Sequence, residues 1–186
     1  EGGGHTGPIP TTLLLSQVVD AVGGKVPVVG AGGFKDGRGL LAALSWGADG
    51  IAMGTRFLMT DESPVPRETL QRYIDCKDPG HIIVSKAMDG IPQRMIMNEL
   101  LTELEKASTL RKLIIAMRNG LAFRKHTGAT FFSLLQSAIA MGKDDDMTAA
   151  QAIMSANAPM IIQKAMVDGE PALGVLPSGQ VAGVID

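Results

Sequence analysis

Apolar residues recur at positions 14, 15, 18, 19 and 22, a spacing that lays them along one side of a helix. The helix predicted over 11–22 stops at Gly23-Gly24. Two short apolar runs follow, 26–29 and 50–53, without polar alternation, as parallel strands covered on both faces require. Pro27 stands near the start of the first run, where a strand tolerates it. Between the runs, Leu40, Leu41 and Leu44 share a face of a helix over 39–46. Strand, helix and strand within about 25 residues is the period of a (β/α) barrel or a doubly wound sheet.

After about Glu62 the pattern changes. Pro64 and Pro66 interrupt it, and no further β-α repeat is visible. A helix is expected over 66–76 and an extended segment over 81–84. Further helices are expected near 93–105, 108–118, 130–141 and 148–167, punctuated by Gly120, Gly128 and Gly142. Methionines 95, 97, 117, 141, 147, 154, 160 and 166 run through this region; they read as adaptable core filler, with a substrate-pocket lining as the alternative. The tail 174–185 reads as a Gly-rich loop. The division is therefore 1–63, a βα-repeat region; 64–170, a helical segment; and 171–186, a returning tail. Residues 1–8 read as a loop that should follow a strand. The expectation is a carboxyl-terminal part of a longer polypeptide, the alternative a processed terminus or a tag remnant.

Composition narrows the field without naming a function. The 186 residues are 45% hydrophobic with a net charge of −2, which leaves ample core and argues against the basic stripe of a nucleic-acid binder. One cysteine, Cys76, excludes an internal disulfide framework and fits a reducing, cytoplasmic setting. No apolar run approaches the ~18 residues of a membrane span. Aromatics are only 4% against 23 glycines, a balance that suits α/β architecture with its glycine turns at strand ends.

Those turns carry the first chemistry. Gly30-Ala31-Gly32-Gly33 closes one strand and Met53-Gly54-Thr55-Arg56 the next. Both present bare backbone N–H groups, and the first feeds a helix start, so the pair suits a phosphate; tight-turn geometry alone is the plainer alternative. His5, set in Glu1-Gly2-Gly3-Gly4-His5, carries an imidazole, the side chain suited to proton transfer near neutrality, and is the acid–base candidate, against a structural loop histidine. His81 and His126 lack that frame and read as ordinary polar residues. Asp144-Asp145-Asp146 fans in three directions and reads as a solvated helix start rather than a metal site, and no metal is expected. Cys76 has no histidine beside it and reads as inert. The cluster Arg111, Lys112, Arg118, Arg124 and Lys125 reads as a solvated helix face, or else as a pocket for the phosphates of a CoA thioester or NAD(P)H.

Taken together, three stretches resemble the nitronate monooxygenase (2-nitropropane dioxygenase) family of flavin enzymes. They are Glu1-Gly2-Gly3-Gly4-His5-Thr6-Gly7, then Val28 to Phe34 with Asp36-Gly37-Arg38, then Gly47 to Phe57 with Thr60. The tail's Ser178-Gly179-Gln180 matches more loosely. The resemblance implies the carboxyl-terminal part of an FMN-binding (β/α)8 TIM barrel with a mostly helical lid. Residues 26–33 would be strand seven with its turn and 50–55 strand eight, and such barrels hold phosphate after those two strands. It also implies Gly3 near the flavin, Gly32, Gly33, Gly54 and Thr55 on the FMN phosphate, and His5 as acid or base beside the ring. A full barrel takes about 250 residues, so the missing strands are expected from a companion chain or a preceding segment. Further copies of the chain are admitted as partners; nucleic acid and membrane are not.

The resemblance also divides the function. The main reading is an FMN-dependent monooxygenase-type oxidoreductase acting on a nitronate-like small molecule. Gly2 stands where many members carry alanine, and Thr6-Gly7-Pro8 where nitronate oxidisers often carry Arg-Gly. The run Gly7-Pro8-Ile9-Pro10-Thr11-Thr12-Leu13-Leu14-Leu15 looks more like the branch acting on acyl thioesters. The alternative is therefore an FMN- and NAD(P)H-linked reductase or dehydrogenase of a CoA or carrier-protein thioester, similar to enoyl reductases or steroid-ring-degrading enzymes. A non-catalytic nucleotide-binding subunit is the third reading.

Overall fold

The computed structural model describes residues 4–108, 111 and 149–185. The helices expected near 108–118 and 130–141, with His126 and Asp144 to Asp146, lie outside the described residues. The chain divides into two compact units, neither of them one continuous stretch. The first combines Glu1–Val84, Pro92–Ile96 and Pro177–Asp186; the second combines Ser85–Ile91 and Met97–Leu176.

The first unit contains the β-α repeat. Helix α1 (Thr11–Val22) ends on the left-handed Gly23, whose N–H bonds back to the Val19 carbonyl. Strand β2 (Val29–Ala31), helix α2 (Gly37–Ser45) and strand β3 (Gly50–Ala52) follow, and β2 pairs β3 in parallel with Val29 opposite Gly50 and Ala31 opposite Ala52. The parallel pairing matches the sequence expectation, but β2 begins three residues later than the apolar run. Pro27 has no N–H to give a ladder, and the Val28 N–H goes instead to the Asp49 carboxylate at 2.7 Å. Likewise β3 stops at Ala52 because Gly54 already opens a short helix, α3 (Gly54–Leu58). Leu15, Phe34, Ala43 and Ala48 form the core beneath this unit, with Val19, Val28, Trp46, Ile51 and Met53 packed against it. The other side is less covered than continuous apolar strands suggested: Leu13 and Leu14 on α1, Val29 on β2, and Leu41 and Leu44 on α2 are all exposed.

A second sheet in this unit corrects two sequence expectations. Residues 1–8 are not all loop, because Gly4–His5 forms a strand, β1, antiparallel to a strand at Gln93–Ile96, with His5 opposite Gln93. The helix expected near 93–105 is instead that strand followed by a shorter helix, α5 (Glu99–Lys106). Between β3 and this strand lie α4 (Arg67–Ile74) and β4 (Ile82–Ser85). Numbered in chain order, Gln93–Ile96 is β5, and the sheet runs β1-β5-β4, with β6 (Leu176–Pro177) on β5 as well. The tail is therefore not a free loop. It adds β6 and a 3₁₀ turn at Gln180–Val184, and Gly183 passes so close to Asp78 and Pro79 that an added Cβ would lie 2.3 Å from the Pro79 nitrogen. Only a residue without a side chain permits that approach.

The second unit is built around α5 and α6 (Ala149–Met166), the latter close to the helix expected over 148–167. Asn98 caps α5 by accepting from the Leu101 N–H at 2.9 Å, and its amide donates to the carbonyls of Pro171 and Gly174, both at 2.7 Å. Leu101, Leu104, Ile161 and Ala165 are buried. Among the described residues no helix is long and apolar enough to cross a membrane, and no cluster of metal-ligating side chains occurs.

Candidate cofactor and catalytic site

The register of β2 on β3 decides where the glycine turns go. Because the two strands run parallel and end at opposed residues, Ala31 and Ala52, the turns Gly32-Gly33 and Gly54-Thr55 leave the sheet side by side. Gly32 and Gly33 have φ of 96° and 85°, a left-handed conformation that strains any residue with a side chain. A Cβ at Gly33 would meet nothing within 4 Å, so the space over this turn is open. The N–H groups of Gly32 and Gly33 make no hydrogen bond to a described residue. Those of Gly54 and Thr55 open α3, where a helix leaves its N–H groups without an internal partner. Four donors around open space, on a backbone that no side chain obstructs, fit the phosphate of FMN.

Neighbouring side chains fix this arrangement. The Thr11 hydroxyl donates to the Gly32 carbonyl at 3.3 Å, tying the start of α1 to the first turn. Asp36 caps α2 by accepting from the N–H groups of Arg38 and Gly39. The Arg38 guanidinium beside it holds the Asp36 carboxyl below the usual carboxylate range. The Thr55 hydroxyl accepts from the Gly179 N–H at 3.0 Å, so the Ser178-Gly179-Gln180 tail is fastened to the second turn across 124 positions of sequence.

His5 is on β1, in the second sheet rather than the β2-β3 sheet that carries those turns, and is exposed. Gln93, opposite it, is 97% buried and its Oε1 has no hydrogen-bond partner. Sequence reasoning missed Gln93, because a glutamine inside an expected helix carries no signal until its strand partner is known. Gly3 lies outside the described residues. Cys76 is buried, its thiol is pushed up by that burial, and its Sγ lies 3.7 Å from the Asp78 carbonyl. That agrees with an inert thiol. Of the basic cluster only Arg111 is described, and it pairs with Glu103 at 2.9 Å on the surface.

The sequence profile of the nitronate monooxygenase family matches residues 1–186, the whole chain. The chain belongs to the nitronate monooxygenase family. Two relatives within it are named (3aS,4S,5R,7aS)-5-hydroxy-7a-methyl-1-oxo-octahydro-1H-indene-4-carboxyl-CoA dehydrogenase. The one from Mycobacterium tuberculosis is 46% identical over 187 residues and the one from Rhodococcus jostii 48% over 186. Both alignments cover 100% of this chain and 52% of the relative, so the chain spans about half the length of these relatives. A probable nitronate monooxygenase from Staphylococcus saprophyticus is 36% identical over 57% of the chain. Among solved structures, FabK from Thermotoga maritima superposes with a TM-score of 0.60 at 25% identity, covering 100% of this chain and 46% of that one. Nitroalkane oxidase from Streptomyces ansochromogenes does so with 0.60 at 24% identity, covering 99% and 44%. The fold is accordingly α/β, the carboxyl-terminal portion of the family's TIM barrel, with β2 and β3 as adjacent parallel barrel strands.

Proposed function

We propose that this chain is part of an FMN-dependent oxidoreductase acting on a CoA or carrier-protein thioester. The observation that carries the reading is the open double turn, whose Gly32, Gly33, Gly54 and Thr55 N–H groups are the proposed phosphate donors; Gly3 beside the flavin is what the family resemblance implies. Bound FMN supplies two-electron redox chemistry. The chain's part is to hold the phosphate through backbone N–H groups and to move a proton at His5. In the oxidising direction the His5 imidazole takes a proton from a substrate hydroxyl or acidified carbon as the hydride leaves; in the reducing direction it returns one. NAD(P)H is then the exchange partner for the electrons. The thioester branch is favoured by the Gly7 to Leu15 run and by the indene-carboxyl-CoA dehydrogenases matching the full chain, where the probable nitronate monooxygenase matches only part. Oxidation of a nitronate by O₂ is the second reading. The remaining barrel strands come from a companion chain or a preceding segment of the same product; the exposed leucines of α1 and α2 support this.

Gly33→Asp tests the cofactor site. It puts a carboxylate and its bulk where the phosphate should rest, so FMN affinity is expected to fall at least a hundredfold, roughly 3 kcal/mol at ~1.4 kcal/mol per decade. Flavin absorbance after desalting measures it; unchanged content would move the phosphate elsewhere. A wild-type assembly that binds no FMN would leave only the non-catalytic reading. Anaerobic reduction with NADH or NADPH, followed by a panel of acyl-CoAs and nitronates, separates the thioester reading from the nitronate one.

A further inference from the structure

Just past the two glycine turns in sequence, Lys35, Asp36, Arg38 and Arg56, together with Ile185, line a cavity of about 120 Å³. Its charges are unevenly matched. Asp36 is fully engaged: Oδ1 accepts from the Arg38 and Gly39 N–H groups, and Oδ2 from Arg38 Nε at 3.1 Å and Nη2 at 2.8 Å. Asp36 and Arg38 thus neutralise each other. The Lys35 ammonium donates to the Val184 carbonyl, an uncharged acceptor. Arg56 makes no hydrogen bond or ion pair with a described residue. Two cations therefore face one small space with no carboxylate left among the described residues to balance them, and Ile185, itself buried, closes a side with apolar surface. Like charges so placed repel, and a bound dianion turns both into attractions, the more so where apolar surface displaces water.

Charge and size narrow the ligand. A phosphomonoester carries about −1.5 to −2 at neutral pH, matching two cations where a carboxylate or phosphodiester brings only one charge. The cavity is well below the ~300–1,000 Å³ of a cleft that encloses a whole small molecule, so it takes a terminal group. We propose that this cavity holds the phosphomonoester on the adenosine ribose of a substrate or co-substrate: the 3′-phosphate of a CoA thioester or the 2′-phosphate of NADPH. Its lining side chains are other than the glycine-turn N–H donors proposed for the flavin phosphate. Only the choice between the two carriers rests on the thioester reading.

The test uses the FMN-loaded assembly and titration calorimetry with two pairs of probes, CoA against 3′-dephospho-CoA and NADP⁺ against NAD⁺. Wild type is expected to favour the phosphorylated member of one pair tenfold or more. Lys35→Met and Arg56→Met should each bring that ratio close to one, with flavin content in Lys35→Met unchanged. Arg38→Met should preserve the ratio, since Asp36 already neutralises that guanidinium. Discrimination in the nicotinamide pair with an inert acyl-CoA panel upholds the site while the thioester reading fails. The proposal is overturned if wild type discriminates in neither pair, or if the preference survives both Lys35→Met and Arg56→Met. It is also overturned if Lys35→Met sheds FMN, which would make the cavity part of the flavin's own phosphate site.

Discussion

His5 and Gln93 sit opposite each other, one exposed and one buried with an unpartnered oxygen, and the first carries the proton chemistry proposed above. His5→Ala should keep FMN, because the phosphate is held by separate turns, yet lose turnover on substrates that must be deprotonated. Positioned general-base catalysis contributes ~10²–10⁴-fold, and kcat/KM should fall by that order. Substrates supplied as preformed anions should escape most of the loss, and steady-state assays on both kinds of substrate measure the split. Release of flavin, with normal activity in the residual holoenzyme, would make His5 structural. At this scale the glycine turns and the inert Cys76 were legible in sequence, since each depends on residues adjacent in the chain. The Lys35 and Arg56 cavity was not, because its Ile185 wall arrives from 129 positions beyond Arg56.

Helix α4 and the tail depend on each other through one phenol. Tyr73, fully buried on α4, donates to the Pro177 carbonyl at 2.8 Å, and burial raises its ionisation well above the ordinary value of 10.0. Below pH 10 the phenol is neutral whether the chain is folded or not. Above it the unfolded chain ionises while the fold holds the proton, so this contribution to stability drains away as pH climbs past 10. Tyr73→Phe should flatten that alkaline decline, and at neutral pH it should cost on the order of 1–3 kcal/mol by leaving the carbonyl without its donor. Denaturant unfolding of both proteins across alkaline pH measures the two effects. Helix α1 was readable because its apolar spacing and its Gly-Gly stop are local. β1 and β5 were not, since a two-residue strand gains its identity only from partners 88 and 90 positions away. Asn98 was the missed clue to a helix beginning at Glu99 rather than near 93.

The whole chain spans about half of its relatives' length, and Leu13 and Leu14 on α1, Val29 on β2, and Leu41 and Leu44 on α2 are left in water. Apolar side chains left exposed in this number suit an interface. Prepared alone, the 186-residue chain is expected to bind an apolar dye and to self-associate in sedimentation; co-expression with the remaining barrel strands should suppress both. A monodisperse, dye-silent isolated chain would contradict the proposal that those strands cover this face. The first unit is also assembled from three separated stretches, the last starting at Pro177. On the ribosome that ordering becomes a delay. At ~5–20 residues per second, the stretch from Met97 to Leu176 takes on the order of ten seconds to emerge. For that interval the second glycine turn waits without its Gly179 fastening, and Tyr73 without its acceptor. A nascent chain at this stage offers chaperones an unlatched pair of turns, and premature termination before Pro177 would yield a chain that carries both turns and Tyr73 but is never latched.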